Sequence, residues 1–227
     1  YFKHQTDRLA EKSLSEIKSI EDWNAQRKTY RRQMHEMLGL DPMPPRTPLK
    51  ATVAGKLQHA EFEVWKVHFQ SKPGLYVTGT LYVPKGIEKP APTILYVCGH
   101  GRVKKDGVSF GNKVHYQHHG IWFARNGYVC LVIDTLQLGE IEGIHHGTYN
   151  HDMWWWNSRG YSSASVEAWN CIRALDYLET LKFVDKNRFG VTGRSGGGAY
   201  SWWVSVLDER IKVSAPVAGI ADLKNHV

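Results

Sequence analysis

The stretch "GVTGRSGGGAY", residues 190–200, decides the fold. It begins in "RFGVTG" (188–193), a short buried strand, and runs into the apolar segment Gly196–Leu207, which has helical character. Between them, Gly193-Arg194-Ser195-Gly196-Gly197 matches G-x-S-x-G. A serine at a sharp strand-to-helix turn needs strained backbone and neighbours without side chains, so that strand and helix can approach. The turn lifts the hydroxyl out of the sheet. It also sets the serine at a helix N-terminus, where free N–H groups favour a developing negative charge. Ser195 is therefore the candidate nucleophile, and the Gly196 N–H a candidate oxyanion donor. The competing reading is a glycine-rich turn that binds phosphate or nothing. The phosphate-loop pattern G-x-x-x-x-G-K-[ST] is absent.

Working outward, "YVCGHGR" (96–102) ends an earlier buried strand in a second glycine turn. In a serine hydrolase the other oxyanion N–H comes from such a strand-end loop. Arg102 N–H is the expected donor, with Gly101 the alternative, and His100 is expected to order the loop and touch substrate. From here strands and helices alternate: "TILYVCGHG", a helix at 112–126, "YVCLVIDT" (128–135), a loop at 136–160, the helix "SSASVEAWNCIRALDYLET", then 188–193, Gly196–Leu207 and "IKVSAPVAG" (211–219). That alternation predicts an α/β fold, a mostly parallel sheet with helices on both faces. Ligands of such sheets sit at the carboxyl ends of the strands, so the loops after Cys98, Thr135, Gly193 and Gly219 should line one edge.

The earlier part of the chain differs. Residues 50–84 read as β, because "FEVWKVHFQ" alternates and "YVTGTLYVP" follows the turn Lys72-Pro73-Gly74. Residues 8–40 read as helix, with Ser19 and Asp22 resembling a capping box, and "DPMPPRTP" (41–48) breaks it. The expected division is a helical arm with its proline-rich linker at 1–48 and an α/β domain at 49–227.

The 227 residues suit one domain with a short appendage. The net charge of +7 is scattered, with short clusters such as Lys104–Lys105 and Arg31–Arg32. Without a basic stripe interleaved with aromatics, no nucleic-acid partner is expected. No apolar run reaches the roughly 18 residues of a membrane-spanning helix, so no membrane partner is expected either. No signal peptide is visible after Tyr1, which leaves the compartment open. The oligomeric state is also left open. Three widely spaced cysteines, Cys98, Cys130 and Cys171, read as buried free thiols rather than disulfides or a zinc knuckle.

The loop 136–160 carries His145, His146, His151, Asp152 and the run Trp154, Trp155, Trp156. These indoles either wall a sugar-binding face or plug the loop against the sheet. The His and Asp spacing matches no closed zinc pattern, so no metal and no cofactor is expected. Either His145 or His146 could act as a displaced base, since chain order in triads varies between folds. Arg194, beside the nucleophile, either contacts an acidic substrate group or pairs within the sheet edge, and Arg159 is a second candidate to pair with a carboxylate.

The segments "GLYVTGTLYVPKG", "ILYVCGHG", "NGYVCLVIDT", "RALDYLETLKFVDKNRFGVTGRSGGG" and "LDERIKVSAPVAG" resemble the α/β-hydrolase superfamily, and within it the acetyl xylan esterase group. The resemblance implies an eight-stranded, mostly parallel sheet and cofactor-free hydrolysis of acyl esters, on a small-molecule or carbohydrate substrate, by a Ser-His-acid triad. Ser195 matches the nucleophile, Arg102 and Gly196 the oxyanion positions, and Asp134 an acid of structural character at a strand end. A very similar turn occurs in glucuronoyl esterases, dienelactone hydrolases and prolyl-oligopeptidase-like enzymes. A non-catalytic relative that binds carbohydrate through the Trp-rich loop is the alternative from another class. The superfamily order is Ser, acid, His, yet after Ser195 only Asp208, Glu209, Asp222 and His226 are available. Asp208 and Glu209 fall at the wrong end of the sheet. Asp222 falls at the right edge, as triad acid or as a capping residue. The chain is thus expected to be the amino-terminal part of a longer enzyme, with the last strands and the catalytic histidine beyond Val227.

Overall fold

A computed structural model describes residues 1–160 and 162–222. The arm is two helices, α1 (Phe2–Lys12) and α2 (Ile20–Met37), where the sequence predicted one over 8–40. The break has a local cause. Ser19 caps α2 from extended backbone (φ −143°, ψ 169°), its hydroxyl accepting the Asp22 N–H at 3.1 Å while Asp22 accepts the Ser19 N–H at 3.0 Å. A helix cannot pass through a residue held in that conformation. Leu14, with φ of 53°, turns the chain between the two helices.

After the linker come β1 (Thr52–Gln58), β2 (Phe62–Lys72) and β3 (Leu75–Pro84), an antiparallel meander. Then follow β4 (Ala91–Val97) and a small ribbon of β5 (Lys104–Lys105) and β6 (Val108–Ser109). The segment expected as one helix at 112–126 is a 3-10 turn, Asn112–Val114, and then α3 (Gln117–Arg125). Next are β7 (Val129–Ile133), two short helices inside the expected loop, α4 (Gly147–His151) and α5 (Trp155–Ser158), and α6 (Ser163–Leu178). The described chain closes with β8 (Val184–Arg194), α7 (Gly196–Leu207) and β9 (Ile211–Val217).

Among the described residues the main sheet has seven strands in the order β1-β2-β3-β7-β4-β8-β9, against the eight implied by the resemblance. The four strands β7-β4-β8-β9 are mutually parallel, and β1-β2-β3 extend the sheet antiparallel from β7. Alternation along β7 explains why both faces are covered. Val129, Leu131 and Ile133 join the core beneath α6 and α7, while Cys130 and Val132 join the smaller core beneath α3. Trp169 of α6 is 1% exposed and donates its indole N–H to the Ser71 carbonyl at 2.9 Å, tying α6 to β2. The chain runs from β4 to β7 on one side and then to β8 on the other. The order therefore reverses around β4, and the crevice at its carboxyl end is the expected ligand site.

Candidate active site

Ser195 stands at that crevice. Its backbone has φ 61° and ψ −123°, a conformation costly for any residue with a Cβ. The strain is held from both sides: the Ser195 N–H donates to the Val217 carbonyl of β9 at 2.9 Å, and the Ser195 carbonyl accepts the Ala199 N–H at 3.1 Å. Strand and helix can meet so closely because Gly197 carries no side chain. A Cβ there would lie inside van der Waals contact with the Val97 carbonyl of β4. Ser195 and Arg194 are exposed, and Gly196 opens α7 with its N–H at the helix N-terminus.

The loop after β4 crosses directly over this turn. A Cβ on Gly99 would overlap the Arg194 carbonyl and lie 3.2 Å from the Ser195 Cβ. Polar groups at the ends of β4 and β7 fasten that loop. Thr135 Oγ1 donates to the Cys98 carbonyl at 2.6 Å, and Asn112 Nδ2 donates to the Gly99 carbonyl and to Thr135 Oγ1, each at 2.8 Å. The Thr135 N–H returns a bond to Asn112 Oδ1 at 3.0 Å. Asn112 and Thr135 were not singled out from sequence. Thr135 lies just past a buried strand, whereas nothing in the local sequence marks Asn112.

His100 extends from this loop until its ring lies over Gly196, whose Cβ position is 3.2 Å from His100 Cε1. It meets His145 and His146 from the loop after β7, with its Nε2 at 3.0 Å from the Nε2 of each. Burial and the neighbouring rings lower the His100 pKa, and the same causes push His145 down to about 4. His151 and Asp152 end α4 in exposed positions outside this convergence. A cavity of about 340 Å³ opens beside the three histidines, with Arg102, Leu138 and Asn150 on its wall.

A second cavity, about 260 Å³, lies further along the same loop. Trp155 and Trp156 line it with Arg159, whose guanidinium sits 5.4 Å from the Trp155 ring centre. Trp154 is 59% exposed and stands outside that lining. The Trp155 and Trp156 rings meet edge to face at 5.8 Å.

The start of the loop 136–160 is anchored by buried charge. Asp134 accepts from Thr78 Oγ1 at 2.6 Å, from the Lys113 N–H at 2.9 Å and from Lys113 Nζ at 2.7 Å. Lys113 Nζ also bonds Glu140 at 2.5 Å. Both carboxylate oxygens of Asp134 thus accept hydrogen bonds from the scaffold. Glu167 of α6 is fully buried and accepts the Leu136 N–H at 2.8 Å. Burial foremost, with the Asp134 charge adding to it, pushes its carboxyl up to about 8. The remaining acids lie apart. Asp208 pairs with Arg210 at 2.6 Å, and Glu209 pairs with Arg31 of the arm. Asp222 is exposed just past β9, and His226 lies outside the described residues.

A sheet whose order reverses at β4, beside a glycine-bracketed serine turn that the glycine loop after β4 covers, defines an α/β-hydrolase. Residues 46–221 match the model of the acetyl xylan esterase (AXE1) family, and the chain belongs to that family. The Bacillus subtilis protein YtaP is 26% identical over 202 residues, covering 87% of this chain and 65% of its own. Among solved structures, methylesterase BT1017 aligns with a TM-score of 0.70 at 24% identity, over 91% of this chain and 44% of that one. A glucuronoyl esterase from Solibacter usitatus aligns with a TM-score of 0.60 at 21% identity, over 84% and 57%. Likeness to structures at these identities speaks for the fold. The chain spans between 44% and 65% of the length of these relatives. Among the described residues no helix is long and apolar enough to cross a membrane.

Proposed function

We propose that this chain carries the nucleophile and oxyanion loop of a serine esterase that removes acyl groups, acetyl foremost, from a carbohydrate. The observation that carries the reading is Ser195 itself, held at φ 61° between a buried strand and a helix N-terminus. Ser195 Oγ attacks the ester carbonyl, and the carbonyl oxygen takes the negative charge between the Gly196 and Arg102 N–H groups. The serine proton passes to a histidine and from it to the departing sugar hydroxyl. Water then attacks the acyl-enzyme and releases the carboxylic acid. In the family order acid and histidine follow the nucleophile, so Asp222 is the candidate acid and the base is assigned to none of the described residues.

A second reading, an ester of a uronic acid, is favoured by the Trp155–Trp156 cavity, where a sugar face would stack, with Arg159 there as a partner for the carboxylate that hydrolysis releases. The test is labelling by a fluorophosphonate probe and release of acid from acetylated xylo-oligosaccharide and from a uronate ester. Labelling of the native chain that disappears in Ser195→Ala is expected. Hydrolysis should fall at least about 10³-fold in that variant. Binding of oligosaccharide without labelling would overturn the esterase reading in favour of a carbohydrate-binding relative.

A further inference from the structure

His100 stands on the loop after β4, and His145 and His146 on the loop after β7, 45 and 46 residues away along the chain. Their ligand nitrogens all lie within 4.8 Å of one another. We propose that His100, His145 and His146 form a three-imidazole site for a divalent transition metal of the zinc class, which clasps the loop 136–160 to the loop over Ser195.

Hydrogen bonding alone leaves this arrangement unsatisfied. An imidazole Nε2 carries either one proton or one lone pair, each pointing in one direction in the ring plane. His100 Nε2 has two nitrogen neighbours, each at 3.0 Å. In every tautomer, and in the charged form too, only one of those two contacts can be a linear hydrogen bond. A cation between the rings satisfies three lone pairs together. The spacing fits: an ion about 2.0–2.1 Å from each nitrogen sets tetrahedral neighbours about 3.3 Å apart. An all-imidazole donor set suits zinc, copper and nickel over magnesium or calcium. Three protein ligands leave a coordination position open, and here the cavity of about 340 Å³ adjoins the rings. Arg102 on its wall favours an anionic fourth ligand, a hydroxide or a carboxylate.

The clasp has a mechanical consequence. The same loop carries Trp155 and Trp156, so the ion would fix the aromatic cavity relative to the serine turn. This inference does not depend on Ser195 being a nucleophile.

The test is calorimetric titration of the chelator-stripped full chain with Zn²⁺, together with the visible absorption of its Co²⁺ complex. One ion per chain is expected, with a Co²⁺ band of low-symmetry coordination. The double variant His145→Ala/His146→Ala should lose the band and weaken Zn²⁺ binding at least about 100-fold. Its far-UV circular dichroism should match the native chain, because His146 is exposed and His145 only half-buried. Ser195→Ala should bind Zn²⁺ as the native chain does, which separates this inference from the esterase reading. Absence of both binding heat and a Co²⁺ band in the native chain would overturn the proposal. So would an unchanged isotherm in the double variant.

Discussion

Replacing Glu167 by Gln tests how the floor of the site is held. The carboxyl is fully buried, accepts the Leu136 N–H at 2.8 Å, and sits where burial and the Asp134 charge push it up to about 8 from an ordinary value of 4.5. At neutral pH it is therefore protonated in the folded chain and ionised in the unfolded one. An acid whose folded pKa is raised contributes its stability fully below about pH 4.5. That stability is lost as pH climbs through about 8, because over this window the folded state holds the extra proton. The slope reaches at most about 1.4 kcal/mol per pH unit, and about 3.5 units set a ceiling of about 5 kcal/mol. Glu167→Gln keeps the shape and an acceptor for Leu136 but cannot ionise. Urea unfolding at pH 5, 6, 7 and 8, followed by tryptophan fluorescence, should place the variant within about 1 kcal/mol of the native chain at pH 5. At pH 8 the variant should be the more stable by about 2–4 kcal/mol. The difference between the two curves isolates Glu167 from the other titrating groups. A constant offset across the range would refute the reasoning, since it would mean that Glu167 is already ionised in the folded chain.

Two further outcomes follow from buried groups. Lys113→Met leaves the Asp134 carboxylate, whose side chain is 4% exposed, without its cation, and should cost about 3–5 kcal/mol in urea unfolding. Lys113→Met combined with Asp134→Asn should recover part of that loss, and equal destabilisation of single and double variants would show that the charge pair is not what matters. The thiols of Cys98, Cys130 and Cys171 are buried and pushed up by burial above their ordinary value. At pH 8 none should react with iodoacetamide in the native chain, while all three should react in urea. A native thiol that labels within minutes would place it at a surface.

What was legible in the sequence is what local chemistry fixes. The turn at Ser195 could be found because close packing of strand and helix demands glycine at named positions, and the apolar runs at 94–98 and 129–133 could be found because a strand covered on both faces admits few polar residues. The helical spacing of Trp23, Tyr30, Met34, Met37 and Leu38 marks α2 alone, and the break before it lies in the Ser19 and Asp22 cap, which acts on backbone. Lys113 falls in the segment expected as a helix at 112–126, where nothing local singles it out. Its burial, at 5% exposure, follows only from Asp134 lying opposite it, 21 positions away. The meeting of His100 with His145 and His146 was hidden for the same reason. No periodicity runs through either loop, and their contact is fixed by the order of β4 and β7 in the sheet, not by spacing along the chain.

That order also explains why the crevice is so heavily tied. Parallel neighbours end together, so the β4 and β7 carboxyl ends leave carbonyls that no further strand residue can bond. Thr135 and Asn112 satisfy the Cys98 and Gly99 carbonyls, Lys113 bridges Asp134 to Glu140, and Glu167 takes the Leu136 N–H. The Thr135 and Asn112 bonds restrain the loop that covers Ser195, and the Lys113 and Glu167 bonds restrain the loop after β7. The donors expected to meet a developing oxyanion, Arg102 and Gly196, thus sit beside restrained backbone before any ligand arrives. Such preorganisation matters because donors already aimed need no reorganisation when charge forms. It follows that loosening Asn112, which contacts neither serine nor substrate, should lower turnover more than it lowers affinity. Asn112→Ala should retain fluorophosphonate labelling at a reduced rate while ester KM stays within about twofold, and a loss confined to KM would break the link between these bonds and the oxyanion loop.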